Sequence, residues 1–316
     1  MLKYKADLKT LAYMAITTTM FVLQWYYGFN WIAYIVYLHF SVAVAVITHN
    51  HNHINIWGNK VLNVLTDWWL TVFYGLPIFV WIPTHNRNHH RYNNKEGDTT
   101  RTYRHTEEND FVSLMQYPSV SGYNQIREGI IPYMKELKEK NIDQYRQNWA
   151  QLAVLVLWLV VFFVLDWQKA FLYVLIPQQV AQLMVIIFNY VQHVHADEES
   201  VYNHSRNFMG VNWFLFNNGY HTVHHMRARP FQTAALTDVR RLIKPGLQLH
   251  QRSHRLARFG SLTQSTHNRA VPAGAVKRLL DRQHVRVGRR LLQKADDHVE
   301  GLIGVMQQHV LLADRR

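Results

Sequence analysis

The chain alternates long apolar runs with polar stretches that are dense in histidine. Residues 1–10 are polar and carry Lys3, Lys5 and Lys9. No small-residue cleavage site of a signal peptide follows them, so the N-terminus is expected to be retained. Apolar runs come next at 11–29 and 31–47, parted by Gly28 and Asn30, with Trp25, Tyr26, Tyr27 and Trp31 at the join. Each run approaches the roughly 20 residues that cross a bilayer, and the aromatics stand where an interfacial belt lies. Charge is nearly absent between Leu11 and Thr48, which predicts a transmembrane hairpin rather than two buried helices of a soluble protein. Two further spans are predicted at 149–167 and 170–192, joined by Asp166-Trp167-Gln168-Lys169, with Pro177 kinking the last.

Between these pairs the pattern is mixed. Residues 61–82 are apolar overall but broken by Asn63, Asp67, Gly75 and Pro77. Residues 83–148 are polar, and Lys135 to Lys140 around Leu137 reads as a solvated helix. The basic excess of this loop marks it as cytoplasmic by the positive-inside rule.

Composition changes the picture at two points. The mean hydropathy of −0.19 averages over unlike regions. Residues 1–226 carry 16 Lys+Arg against 15 Asp+Glu, so all but one of the net charge of +13 belongs to residues 227–316. Those residues are rich in arginine and lack Trp and Tyr. Nucleic-acid binding would need basic residues interleaved with aromatics, so no nucleic-acid partner is expected. The body is taken as 1–230. The segment 231–316 is expected to be a poorly ordered basic extension or one foreign to the body, such as a shifted reading frame beyond about Ala235. The chain also contains no cysteine, which excludes iron–sulfur and Cys-rich zinc sites.

The chemistry lies in the histidines. His221, His224 and His225 form H-x-x-H-H, a spacing that places three imidazoles on one helical face where they can aim at one point. His49 and His53 are spaced i, i+4; His85, His89 and His90 form H-x-x-x-H-H; and His193 closes Asn189-Tyr190-Val191-Gln192-His193. Nine imidazoles exceed the four ligands of one tetrahedral zinc and suit two metal ions. No Glu-x-x-His pair of the carboxylate-bridged kind occurs in these stretches. The residues point to a histidine-rich dinuclear site, with iron as the metal. His51 faces away from His49 and His53 and is expected to lie at the surface or behind a ligand. His39 is read as a packing residue, and His105 and His204 as surface residues. His195, ahead of Asp197, Glu198 and Glu199, could orient a ligand imidazole or sit in a solvated turn. Asn218 and Tyr220 could bond the last imidazoles or simply pack.

One site cannot be assembled from both faces of a bilayer. If 61–82 crossed, His85–His90 would land opposite His49 and His53. The segment is therefore expected to be interfacial or re-entrant, with Trp68, Trp69 and Trp81 at the headgroups. Four crossings then return His193 and His221–His225 to the face of the first two boxes.

At these residues the chain resembles the membrane fatty acid desaturase and hydroxylase superfamily of histidine-box diiron proteins, over roughly residues 10–230. The resemblance implies an all-α integral-membrane fold of four transmembrane helices with a cytoplasmic histidine-box diiron cap. It implies two iron ions as cofactor, dioxygen as co-substrate, and removal of hydrogen from an unactivated C–H bond of a fatty acyl or other long aliphatic chain. Reducing equivalents would come from a ferredoxin, rubredoxin or cytochrome b5-type donor with its reductase. The chain itself has no dinucleotide-binding glycine fingerprint. Asn189, four residues before His193, resembles an asparagine that meets the metal through a water. The second box departs from the H-x-x-H-H of many acyl desaturases. Its longer spacing, and Asn189-Tyr190, also resemble membrane alkane hydroxylases. A fatty acyl desaturase in the membrane lipid is the leading reading, and an alkane, lipid or carotenoid-type hydroxylase the alternative.

Overall fold

The computed structural model describes residues 1–103, 110–196, 204–208 and 212–226. Among these residues every regular element is helical, and strand-like pairing is confined to the isolated bridges Leu2–Trp57 and Asn207–Tyr220. The basic segment 231–316, His105 and the acidic run at 197–199 fall outside them.

Helices α1 (Asp7–Tyr27) and α2 (Trp31–His53) form the predicted hairpin. Gly28 closes α1 at φ 85°, and the Asn30 side chain caps α2 by accepting from the Ala33 N–H at 3.0 Å. Helix α7 (Ile142–Leu165) and the long helix α8 (Trp167–His193) supply the second pair. Among the described residues three helices are long and apolar enough to cross a membrane: α2, α7 and α8. The first predicted span forms a 21-residue helix but is not among them. It carries Asp7 and Lys9 within its first turn and a run of three threonines.

Helix α2 is the core of the bundle. From Ala43 to His51 it is buried, packed against α1 and α8, with Ala43, Val44, Ala45 and Val46 essentially inaccessible. Small side chains let the helices approach closely in lipid, where apolar burial alone gives little preference between partners. Hydroxyls inside the bundle bond the carbonyl one turn back, as Ser41 does to Tyr37 and Thr48 to Val44. Pro177 leaves α8 short of an N–H, and a π-helical turn at Phe171–Leu175 precedes it. The Tyr173 carbonyl, four residues before the proline, accepts instead from the Tyr37 hydroxyl at 3.0 Å. The neighbouring Leu172 carbonyl accepts from Tyr34 at 2.8 Å.

The broken segment turns back. Helix α3 (Lys60–Tyr74) and helix α4 (Ile78–Tyr92) meet at 92° across Gly75-Leu76-Pro77. Irregular backbone survives at membrane depth only where protein answers its polar groups, each of which would otherwise cost several kcal/mol. Here three helices answer them. Gln178 and Gln182 of α8 donate to the carbonyls of Val72 and Tyr74 at 2.7 and 3.2 Å. Gln151 of α7 accepts from the Phe79 N–H at 3.1 Å, and Thr71 of α3 accepts from Ile78 at 3.4 Å. Trp69 stacks on Phe73 and bonds Thr18, and Trp81 lies against the rings of His49 and His85, while Trp68 stays exposed.

Helices α5 (Phe111–Asn124) and α6 (Ile131–Lys140) cover the polar end, joined by a π-helical turn at Gln125–Ile130. The segment around Leu137 is solvated on one face only. Tyr133 and Leu137 are buried against Phe79, leaving Lys135, Lys138 and Glu139 exposed.

Gly75 sits at φ 81°, and a Cβ there would lie 2.6 Å from the Gln178 Cβ. Gly75→Ala therefore combines a left-handed backbone cost with overpacking, together about 2–4 kcal/mol. A clear drop in unfolding temperature in detergent is expected, and an unchanged melting curve would remove this turn from its structural role.

Candidate metal centre

Each histidine stretch reaches the centre from a different element. The last turn of α2 carries His49 and His53, α4 carries His85, His89 and His90, and the end of α8 carries His193. The short helix α9 (His221–Met226) carries the rest. A tight turn built by Asn212 aims α9: its Oδ1 accepts from the Gly219 N–H at 2.9 Å, and its amide also bonds the Phe208 carbonyl. Asn207 then caps the helix by accepting from the Thr222 N–H at 3.1 Å.

The imidazoles form two adjacent clusters rather than one. In the first, Nε2 of His49 lies 2.8 Å from that of His85, 3.0 Å from that of His224 and 3.3 Å from that of His53. Nε2 of His90 joins at 3.1 Å from His85 and 2.9 Å from His224. In the second, Nε2 of His193 lies 3.1 Å from that of His89 and 2.9 Å from that of His221, which is 3.0 Å from that of His225. The expectation that His221, His224 and His225 aim at one point is corrected. On α9, His221 and His225 turn to the second cluster and His224 to the first.

Box two is divided the same way, and its longer spacing has a local cause. Ile82–His89 is π-helical. In an α-helix, residues five apart differ by about 140° around the axis, so His85 and His90 could not meet. The wider π turn brings them onto one point and leaves His89 for the other cluster.

The donors fit metal ions better than they fit each other. A neutral imidazole nitrogen is either one donor or one acceptor, so five mutually close Nε2 atoms cannot be paired by hydrogen bonds. Ligands at about 2.0–2.1 Å from an ion, the usual metal–imidazole distance, sit roughly 3 Å apart along a cis edge, which matches the spacing seen. Two groups of four, His49–His53–His85–His224 and His89–His193–His221–His225, could each hold a metal ion. Burial, reinforced by the neighbouring imidazoles, holds His221, His224 and His225 well below the usual imidazole range. They are therefore neutral, the form that donates to a metal.

One carboxylate orients this centre from behind. Asp98 is 1% exposed and accepts from His89 Nδ1 at 2.7 Å. It also accepts from the N–H of Asn94 at 2.7 Å and from the N–H and hydroxyl of Thr100 at 2.8 and 2.7 Å. Burial pushes the carboxyl upward, but His89 and the Thr100 donors outweigh it and hold it well below the ordinary range. Its acceptance of the Nδ1 proton turns the His89 Nε2 lone pair to the cluster.

Other expectations resolve individually. His51 is buried rather than superficial. Its Nδ1 accepts from the Ile56 N–H at 3.2 Å, so Nε2 bears the proton and donates to Asp67 at 3.0 Å, away from both clusters. His204, expected at the surface, is buried with its ring 5.5 Å from that of His225. His39 packs edge-on to Phe40 and Phe214. Asn218 offers its carbonyl to Gln192, and Asn189 donates to Tyr117. Asp98, Thr100 and Tyr117 were not singled out by the sequence: isolated polar residues in a polar stretch carry no spacing signal.

Apolar helices long enough to cross a bilayer, capped at one end by paired all-imidazole clusters, define a membrane metalloprotein class. The fatty acid desaturase family model matches residues 13–256, and the chain belongs to that family. It is a membrane oxidoreductase of lipid metabolism. Searches of curated proteins and of solved structures gave no match.

Asp98 has four donors on its two oxygens, so an amide at this position would face donors with donors. Asp98→Asn is expected to weaken metal retention at the second cluster by about 10–100-fold, read by chelator titration of the purified protein. Retention equal to the parent would refute this role.

Proposed function

We propose that the protein is an oxygen-dependent fatty acyl desaturase in which nine imidazoles hold two iron ions. The observation that carries this reading is the convergence of His49, His53, His85, His90 and His224 on one point and of His89, His193, His221 and His225 on an adjacent one. Bound there, the iron pair would activate dioxygen for hydrogen removal from an unactivated C–H bond. The chain's own part is to fix neutral donors, keep water out and place the centre where the apolar helices end. Asn189 is proposed to reach the second iron through a water. An aliphatic chain dissolved in the bilayer would approach along those helices. With no cysteine and no dinucleotide fingerprint, electrons must arrive from a ferredoxin, rubredoxin or cytochrome b5-type partner and its reductase.

Hydroxylation of an alkane, lipid or carotenoid is kept as a second reading, because the π-helical second box has the spacing that resembles membrane alkane hydroxylases. Product analysis separates the two. Lipid extracts from a host expressing the gene should contain new double bonds in acyl chains. Hydroxylated products would favour the second reading, and extracts identical to those of a host without the gene would sink both.

The centre is proposed to face the cytoplasm, the side favoured by the basic loop 83–148. Residues 250–316 are proposed to supply no ligand, since all nine imidazoles precede Met226. A chain without native cysteine allows the orientation to be tested directly. Glu96→Cys and Trp213→Cys, at exposed positions in the segments that lead to Asp98 and to α9, should react with an impermeant thiol reagent from the cytoplasmic side, and Trp167→Cys from the other. Labelling of positions 96 and 213 from opposite sides would break the arrangement.

A further inference from the structure

The second cluster has four imidazoles where the first has five, and one hydrogen-bond chain runs around it. Tyr117 of α5 is buried, 4% exposed, and its hydroxyl lies 2.6 Å from the Thr100 carbonyl and 2.6 Å from Nδ2 of Asn189. Thr100 is the residue whose N–H and hydroxyl bond Asp98, which in turn receives His89 Nδ1. At the other end, Asn189 stands one helical turn before His193 on α8. The chain Asn189–Tyr117–Thr100–Asp98–His89 therefore begins and ends beside the same cluster.

The direction of each bond in it is forced. A backbone carbonyl can only accept, so the Tyr117 O–H donates to Thr100. The Tyr117 oxygen is then left to accept, and only the N–H end of the Asn189 amide can meet it. Reversing the amide would set two acceptors 2.6 Å apart or leave the Thr100 carbonyl without its donor.

We infer that Tyr117 is a positioning residue for the second metal: by engaging the N–H end of Asn189 it leaves the amide oxygen as the atom offered on the His193 side. An oxygen so placed makes up, directly or through a water, the donor that the four-imidazole cluster lacks beside its five-imidazole neighbour. Without the Tyr117 hydroxyl the amide has no fixed sense and presents N–H or oxygen with little preference. The bond from the same hydroxyl to the Thr100 carbonyl fixes the sense in which Tyr117 meets the amide.

This inference rests on the reading of the clusters as a two-iron centre. The test uses the full-length chain, purified in detergent and loaded with iron-57, and reads iron per chain, chelator titration and Mössbauer spectra. The parent should hold two irons. Tyr117→Phe and Asn189→Leu should each alter the spectrum of the same single ion and weaken its retention about tenfold, within the range for loss of an outer hydrogen bond. The double variant should be no weaker than Asn189→Leu alone, because Tyr117 acts through Asn189. Multiplying losses, equal disturbance of both ions, or a Tyr117→Phe spectrum identical to the parent's would overturn the role given to Tyr117 while leaving the two-iron reading intact. A parent chain that binds no iron would overturn that reading first, and this inference with it.

Discussion

A chain that bends by 92° between two apolar helices has to answer its own buried N–H and carbonyl groups, and the centre depends on that being done at Gly75-Leu76-Pro77. Were α3 to continue across, the histidines of α4 would reach the face opposite His49. The 92° break returns them, and it is tolerable because Gln178, Gln182, Gln151 and Thr71 take up the loose ends of the backbone. Gly75 supplies the left-handed residue that ends α3 without a side chain to collide with Gln178. Packing at the turn and chemistry at the imidazoles are thus linked through one piece of backbone.

The electrostatics of the centre are unusual for the number of ligands. Among the described residues both clusters are all imidazole, with Asp98 in contact only through His89. Neutral donors hold their lone pairs at neutral pH once burial has suppressed their protonation, as for His221, His224 and His225. The carboxylate is kept ionised by four hydrogen bonds rather than by solvent, which lets a charge persist at 1% exposure.

Much of this was legible in the chain. The apolar runs located α2, α7 and α8, and the break expected within 61–82 is the 92° bend that sets His85 beside His49. Eight of the nine imidazoles stood in spaced groups and His193 stood alone, and all nine come together in the two clusters. What spacing could not supply was their division. The argument that i, i+3 and i+4 share a face assumes one target and α geometry throughout. The structure has two targets, and His85 to His89 lies in a π-helical stretch that has Pro83 in its first turn. The Asp98 and Tyr117 contacts were out of reach for another reason: each joins segments distant in sequence, and nothing in a lone Asp or Tyr announces its partner. The burial of His204 and the contact of Trp81 with the imidazoles were hidden in the same way.

Helix α8 shows how a signal in the sequence can be read once its targets are known. Gln178, Gln182, Asn189 and His193 fall within about 60° of one another around an α-helical axis, at 3.6 residues per turn. They form a single polar stripe on a helix otherwise apolar enough to span a bilayer. The first two residues hold the turn at Gly75, the third meets Tyr117, and the last joins the second cluster. A rotation of one residue, about 100°, would carry all four off their partners at once. The π-helical turn at Phe171–Leu175 lies just ahead of the stripe, with Tyr34 and Tyr37 bonded to its carbonyls. An extra residue accommodated there sets the phase of everything downstream. The proline that removes one hydrogen bond from α8 thus belongs to the device that aims its functional face.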